Sequence, residues 1–166
     1  MSELKPLSKE AIPAALEKAV RYRLLNEPGE AESICLDVLK ADPENQEAII
    51  TLLLAFTDRF EKGYGVGDTQ AKELLSRIKG EYERAYYTGI FAERRAKAKL
   101  AQNTPDCRFQ AYDLLHEAMS WFEKAEALRP PGHDDALLRW NTCVRIIAQN
   151  KLVPRHEEER IEFPLE

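Results

Sequence analysis

Apolar residues recur at helical spacing along almost the whole of this 166-residue chain, and this periodicity constrains the fold more than any other feature. An α-helix has 3.6 residues per turn, so apolar side chains three and four positions apart lie on one face. Seven segments show this spacing, whereas the two-residue alternation typical of strands appears only in the last residues of the chain. The sequence therefore predicts an all-α fold of about seven helices. The predicted helices cover residues 12–25, 30–41, 46–60, 68–79, 81–100, 104–128 and 134–151.

Turn and capping residues set the limits of these helices. Pro28-Gly29 is expected to end the first helix. Pro43 is expected to end the second, because a residue that precedes proline is disfavoured in the helical region. Asn45 and Thr104 stand where a side-chain oxygen would cap the third and sixth helices.

The charge distribution argues against a general nucleic-acid-binding protein. The formal net charge is −5, and the chain lacks the interleaved basic and aromatic residues of a single-strand binder. Residues 72–99 nevertheless hold eight basic and four acidic side chains. This stretch is interpreted either as an ordinary solvated helix surface or as an electropositive surface for an acidic partner.

The chain lacks motifs that would carry chemistry. Its three cysteines have no CxxC spacing, and two of them stand where a helix stripe needs an apolar residue, which predicts core residues in a reducing compartment. The histidines lack metal-ligand spacing, and the glycine-rich segment 63–67 lacks a phosphate-binding lysine. We therefore predict no catalytic residue, no metal and no cofactor. With neither a signal-peptide pattern nor a membrane-length apolar run, we expect a soluble cytoplasmic protein that does not enter a membrane.

One spacing occurs twice, in the second and sixth predicted helices. A small or apolar residue is followed by a larger one four positions on, a small or apolar one three further, and a proline five beyond that. The matched residues are Ala31, Cys35, Val38 and Pro43 in the second helix, and Ala118, Phe122, Ala125 and Pro130 in the sixth. Small residues let two helices approach closely, and the larger residue fills the space beside them.

On these residues, and on Ala19 with Tyr22 in the first helix, the chain resembles the tetratricopeptide repeat family. The resemblance implies antiparallel helical hairpins stacked as a short right-handed solenoid over residues 1–152, followed by an extended acidic tail over 153–166. The two prolines are 87 residues apart, which is more than two repeats of this family. The middle hairpins are therefore expected to have longer helices or loops.

The resemblance also implies a concave groove lined by the first helices of successive repeats. Such a groove would bind a helix or an extended peptide, unless the protein's own helices close it. The family's clamp for terminal carboxylates is not expected, because the matching positions are mostly aliphatic. Carried over to this chain, the groove residues are Leu16, Val20, Arg23, Ile50, Leu54, Tyr86 and Ile90.

The C-terminal tail offers one way to fill that groove. Ile161, Phe163 and Leu165 alternate with polar residues or proline, a pattern that suits an extended peptide. The tail either docks on its own groove or a neighbour's, or it is frayed. The sequence thus predicts a non-enzymatic interaction module with a protein or peptide partner. The alternative is a protein that self-assembles into a homo-oligomer through this tail.

Overall fold

A computed structural model describes residues 1–62 and 68–155 of the chain. All regular structure in these ranges is helical, so the all-α prediction is confirmed. The described α-helices are α1 (Ile12–Leu24), α2 (Pro28–Ala41), α3 (Gln46–Thr57), α4 (Asp68–Ser76), α5 (Glu81–Gln102), α6 (Pro105–Leu128) and α7 (Asp135–Asn150). Short 3₁₀ helices lie at Lys9–Ala11 and Phe60–Lys62. Among the helices described, none combines the length and apolar character needed to cross a membrane. The tail residues Ile161, Phe163 and Leu165 lie outside the described residues.

The two predicted helix caps are confirmed. The side-chain oxygen of Asn45 accepts a hydrogen bond from the Ala48 amide at 2.9 Å, and the Thr104 hydroxyl accepts one from the Cys107 amide at 3.3 Å. The prediction at Pro28 is wrong in detail, because this proline begins α2 instead of ending α1. Proline fits the first helical position, where its missing amide hydrogen has no intrahelical partner to lose.

Contacts divide the chain into two compact units, Met1–Lys79 and Gly80–Glu166, and each is described by itself. In the first unit α2 packs between α1 and α3, and α1 also contacts α3. Ile12, Leu16, Val38 and Ala48 form a buried cluster between these helices. The side chain of Gln46 bonds α3 to the chain after α4, since it donates to the Arg77 carbonyl and accepts from the Lys79 amide.

In the second unit, α5 and α6 form a long hairpin, and α7 packs against α6 and touches α5. The two helices of the hairpin approach each other closely at Gly89. A Cβ atom at this glycine would lie 2.6 Å from Cε1 of Phe122, so only glycine fits without displacing that ring. Phe122 is fully buried, and the ring therefore has no space into which it could move.

The spacing found twice in the sequence marks a buried stripe in each unit. In α2 and in α6 all six matched side chains before the prolines are fully buried. Each proline follows its helix by two residues. The same residue pattern therefore serves the same packing role in both units. The six residues are Ala31, Cys35, Val38, Ala118, Phe122 and Ala125.

Candidate functional site

An ion pair holds the ends of α1 and α3 side by side in the first unit. Arg23 donates twice to Asp58, from Nε to Oδ2 at 2.8 Å and from Nη2 to Oδ1 at 3.1 Å. Arg23 lies in the last turn of α1, and Asp58 is the residue that ends α3. The two helices therefore run in the same direction at this point. A bidentate guanidinium–carboxylate pair fixes orientation as well as distance.

Helical spacing places apolar side chains on the same faces as this ion pair on both helices. Val20 precedes Arg23 by one turn and is 38% exposed, while Leu24 is 81% exposed. Leu54 precedes Asp58 by one turn, Ile50 precedes it by two, and both are half-buried. We call Val20, Leu24, Ile50 and Leu54 the α1–α3 strip. It includes three of the predicted groove residues, and the predicted residue Arg23 forms its polar edge.

Two predicted groove residues belong to the core instead. Leu16 is only 4% exposed and Ile90 only 2% exposed, so a partner would not reach either side chain. Leu16 packs in the cluster between α1 and α2. The groove assignment is therefore corrected at these positions. Tyr86 and Ile90 lie in the second unit.

In the second unit, α7 lies over the part of α5 that was predicted to face the groove. Glu93, one turn beyond Ile90, has no exposed surface. Its Oε2 lies 3.3 Å from Lys97 Nζ and 3.3 Å from Arg139 Nη1 of α7, and its Oε1 lies 3.8 Å from Cys143 Sγ. We call these four residues the Glu93 cluster. Because two of them come from α7, the cluster joins α5 to α7.

The Glu93 cluster pairs one buried anion with two cations that are each about one-third exposed. Burial, and secondarily the nearby carboxylate of Glu93, raises the pKa of the Cys143 thiol to about 12. The thiol is therefore protonated and unreactive at neutral pH. Burial alone would lower the pKa of Arg139, but Glu93 and a hydrogen bond with Tyr86 raise it. The guanidinium is thus held as a permanent cation.

A polar surface depression of about 400 Å³ lies beside the Glu93 cluster. Tyr86, the other predicted groove residue of this unit, lines it together with Arg139. The Tyr86 ring lies 5.9 Å from Phe122 and 6.0 Å from the stacked Tyr82 ring, measured between centroids. The remaining lining residues are Asp135, Leu138 and Thr142. Sequence reasoning missed Arg139, although an acid on the buried stripe of α5 indicates that a cation must lie nearby.

Several basic residues of the 72–99 stretch are engaged within the protein. Arg77 donates to the Pro43 carbonyl at 2.6 Å, Lys79 pairs with Glu44 at 3.1 Å, and Lys97 belongs to the Glu93 cluster. These contacts favour the interpretation of this stretch as structural and solvated helix surface over a site for an acidic partner.

Neither a metal-binding group among the described residues nor a similarity to a known protein points to a function. In the part of the chain that the structure describes, no group of three or more His, Cys, Asp or Glu side chains is placed to hold a metal ion. No protein-family model matches the chain, and no curated protein or solved structure is significantly similar to it.

Proposed function

We propose that this chain is a non-enzymatic protein-interaction module of tetratricopeptide-like architecture, which binds a helix or an extended peptide on the α1–α3 strip. The observation that carries the proposal is the exposure of Val20 and Leu24 next to Ile50 and Leu54, on two helices fixed by the Arg23–Asp58 ion pair. An exposed apolar surface with a polar edge is typical of peptide-binding grooves.

The helix packing supports the tetratricopeptide-like architecture. In each unit two consecutive helices pack as a hairpin, and a third helix contacts both of them. The small residue Gly89 against the Phe122 ring reproduces the close helix approach that this family requires. Three free, buried cysteines support a reducing compartment such as the cytoplasm.

The energy available on the α1–α3 strip is sufficient for a modest affinity. Fully burying one leucine side chain contributes roughly 1.5–3 kcal/mol. Leu24 is 81% exposed and the neighbouring Leu25 is 62% exposed, so a partner that covered both would gain about 2–4 kcal/mol from them. Association and side-chain ordering oppose this gain. We therefore expect a weak complex in which a few leucine contacts dominate, because a micromolar affinity would need a net gain of about 8 kcal/mol.

The test compares charge substitutions on and away from the strip. Leu24→Glu and Val20→Glu place a carboxylate on the strip at exposed positions, so the fold should tolerate them. Leu36→Glu is the matched control, because Leu36 is also exposed but lies on α2. A protein captured from lysate by the wild type is purified, and its affinity for each variant is measured by calorimetry.

We expect the two strip variants to lose at least about 1.4 kcal/mol of binding free energy, which is a tenfold change in affinity. The Leu36→Glu variant should bind like the wild type, and circular dichroism should be the same for all variants. Equal affinity of strip variants and control would refute the assignment of the strip. If the chain captures only itself and its mass in solution rises with concentration, the alternative function of self-assembly is supported instead.

A further inference from the structure

A second depression, of about 520 Å³ and apolar, lies between the start of α5 and the end of α6. Ala85, Trp121, Ala127 and Leu128 form its mostly apolar wall. Leu128 is half-exposed, and the ammonium group of Lys124 lies 4.2 Å from the centroid of the Trp121 ring. This surface lies in the second unit and does not include any residue of the α1–α3 strip.

After α7 the chain returns to the first turns of α6. Leu152 is buried, and Arg155 forms an ion pair with Asp106. The Arg155 guanidinium also lies 4.8 Å from the centroid of the Phe109 ring. The residues that follow Arg155 therefore start from a fixed place near the beginning of α6.

A stripe of exposed and half-buried side chains leads along α6 from this place to the depression. Its positions follow the helical repeat, so they lie on one face. At 1.5 Å per residue the distance is about 22 Å from Asp106 to Trp121 and about 33 Å to Leu128. The stripe residues are Asp106, Gln110, Asp113, Glu117, Trp121, Lys124 and Leu128.

The first turn of this stripe has an unsatisfied polar atom. Oε1 of Gln110 is shielded from water and has no hydrogen-bond partner among the described residues. An unpaired buried acceptor costs about 1–3 kcal/mol. Gln110 lies one turn along from Asp106, where Arg155 is bound, and a chain that continued from Arg155 along the stripe would bring backbone amides past this oxygen.

Residues 156–166 fit the stripe in length and in the spacing of their apolar residues, and their net charge is opposite to that of the depression. An extended chain advances about 3.3 Å per residue, which places Phe163 about 26 Å and Leu165 about 33 Å from Arg155. These distances match those from Asp106 to Trp121 and Leu128. The segment contains five glutamates and one arginine, whereas the charged groups bordering the depression are Glu81, Arg84 and Lys124, with a net charge of +1.

We propose that residues 156–166 run along the α6 stripe of their own chain and insert Phe163 and Leu165 into the Trp121–Leu128 depression. The occupant is the chain's own segment because Arg155 already fixes its start on α6, and positions 163 and 165 lie at the distance of the depression along an extended chain. The inserted side chains would exclude water from the apolar wall, and backbone amides near its start would pair with Gln110. This inference does not depend on the proposed function of the α1–α3 strip.

Photo-crosslinking in the full chain tests the placement. Phe163→benzoylphenylalanine is prepared in light and in heavy isotopic form, and the two forms are mixed before irradiation. We expect crosslinks from position 163 to residues 121–128 in products that are wholly light or wholly heavy. Crosslinks that join light to heavy chains would show docking on a neighbour and overturn the proposal. The absence of crosslinks to this region would overturn it as well.

Hydrogen exchange gives a second, independent measurement. Leu128→Glu places a charge in the depression, and Leu138→Glu is the control because Leu138 is exposed on α7 outside it. In the wild type and the control we expect the amides of residues 161–166 to exchange about tenfold more slowly than in Leu128→Glu. Equal exchange at the unprotected rate in all three proteins would contradict docking.

Discussion

Replacing Glu93 with glutamine should destabilise the second unit by about 2 kcal/mol, because a charged hydrogen bond contributes about 1 kcal/mol more than a neutral one and Glu93 forms two. Glutamine has nearly the same volume, so the substitution leaves no cavity. In the wild type, Lys97 and Arg139 each lie 3.3 Å from the carboxylate. The glutamine oxygen can still accept from both, but it has no negative charge.

The exposure of the two cations limits this cost. Breaking a fully buried ion pair costs about 3–5 kcal/mol, because the remaining charge has no solvent. Lys97 and Arg139 are each about one-third exposed, so water replaces part of the lost interaction. Glu93→Ala removes the bonds to both cations and the bond from the Cys143 thiol and leaves a void, and we expect it to cost about 4 kcal/mol.

Urea denaturation followed by tryptophan fluorescence measures this effect in the relevant unit. Both tryptophans, Trp121 and Trp140, lie in the second unit, so their emission reports on the unit that contains Glu93. Glu126→Gln is the control, because the pair that Glu126 forms with Arg129 is partly exposed and should contribute less than about 1 kcal/mol. If Glu93→Gln were as stable as the wild type or more stable, the desolvation of Glu93 would outweigh its pairing, and the reasoning would be refuted.

Three further predictions concern packing, capping and thiol chemistry. Gly89→Ala should lower the free energy of unfolding by about 1–2 kcal/mol, since overpacking against Phe122 exceeds the gain of about 1 kcal/mol in helix propensity; urea denaturation checks this. Asn45→Ala should cost about 1 kcal/mol through loss of the cap on α3, measured by circular dichroism in urea, and an unchanged midpoint would contradict it. Burial raises the pKa of the Cys35 and Cys143 thiols from 9.0 to about 12, so the folded state retains protons that the unfolded state releases. Stability should be fully present below pH 9 and lost as the pH rises towards 12, and Cys143→Ala should reduce this loss in denaturation curves recorded from pH 8 to 11.

Local features of the fold could be predicted because their causes are local in sequence. Asn45 and Thr104 cap their helices through atoms three residues away, which a single segment specifies completely. The buried stripe of α6 was likewise predicted by the spacing of Ala118, Phe122 and Ala125. The observed helix boundary differs from the predicted one at Pro28, where two sequence signals conflict. Pro28 both follows one helix and begins the next, and its fixed backbone angle favours the second role.

The candidate site could be predicted only in part, because exposure depends on which helix covers a stripe. Leu16 and Val20 are one turn apart on α1, yet the first is buried under neighbouring helices and the second is exposed. Their spacing places both residues on similar faces of α1, but it does not show which of these positions another helix covers. Ile90 was assigned to an open groove for the same reason, but it is only 2% exposed, because α5 packs against helices that are distant in sequence.

The Glu93 cluster shows how such a covering helix could be recognised from sequence. Glu93 lies between Ile90 and Ala96 on the buried stripe of α5, where an unpaired carboxylate would be strongly unfavourable. The stripe therefore requires a cation from another element. Arg139 meets this requirement and lies four residues before the buried Cys143, so both side chains point from one face of α7 towards α5. An acid within an apolar stripe thus predicts both that the stripe is covered and that the covering helix presents a basic residue beside a small apolar one.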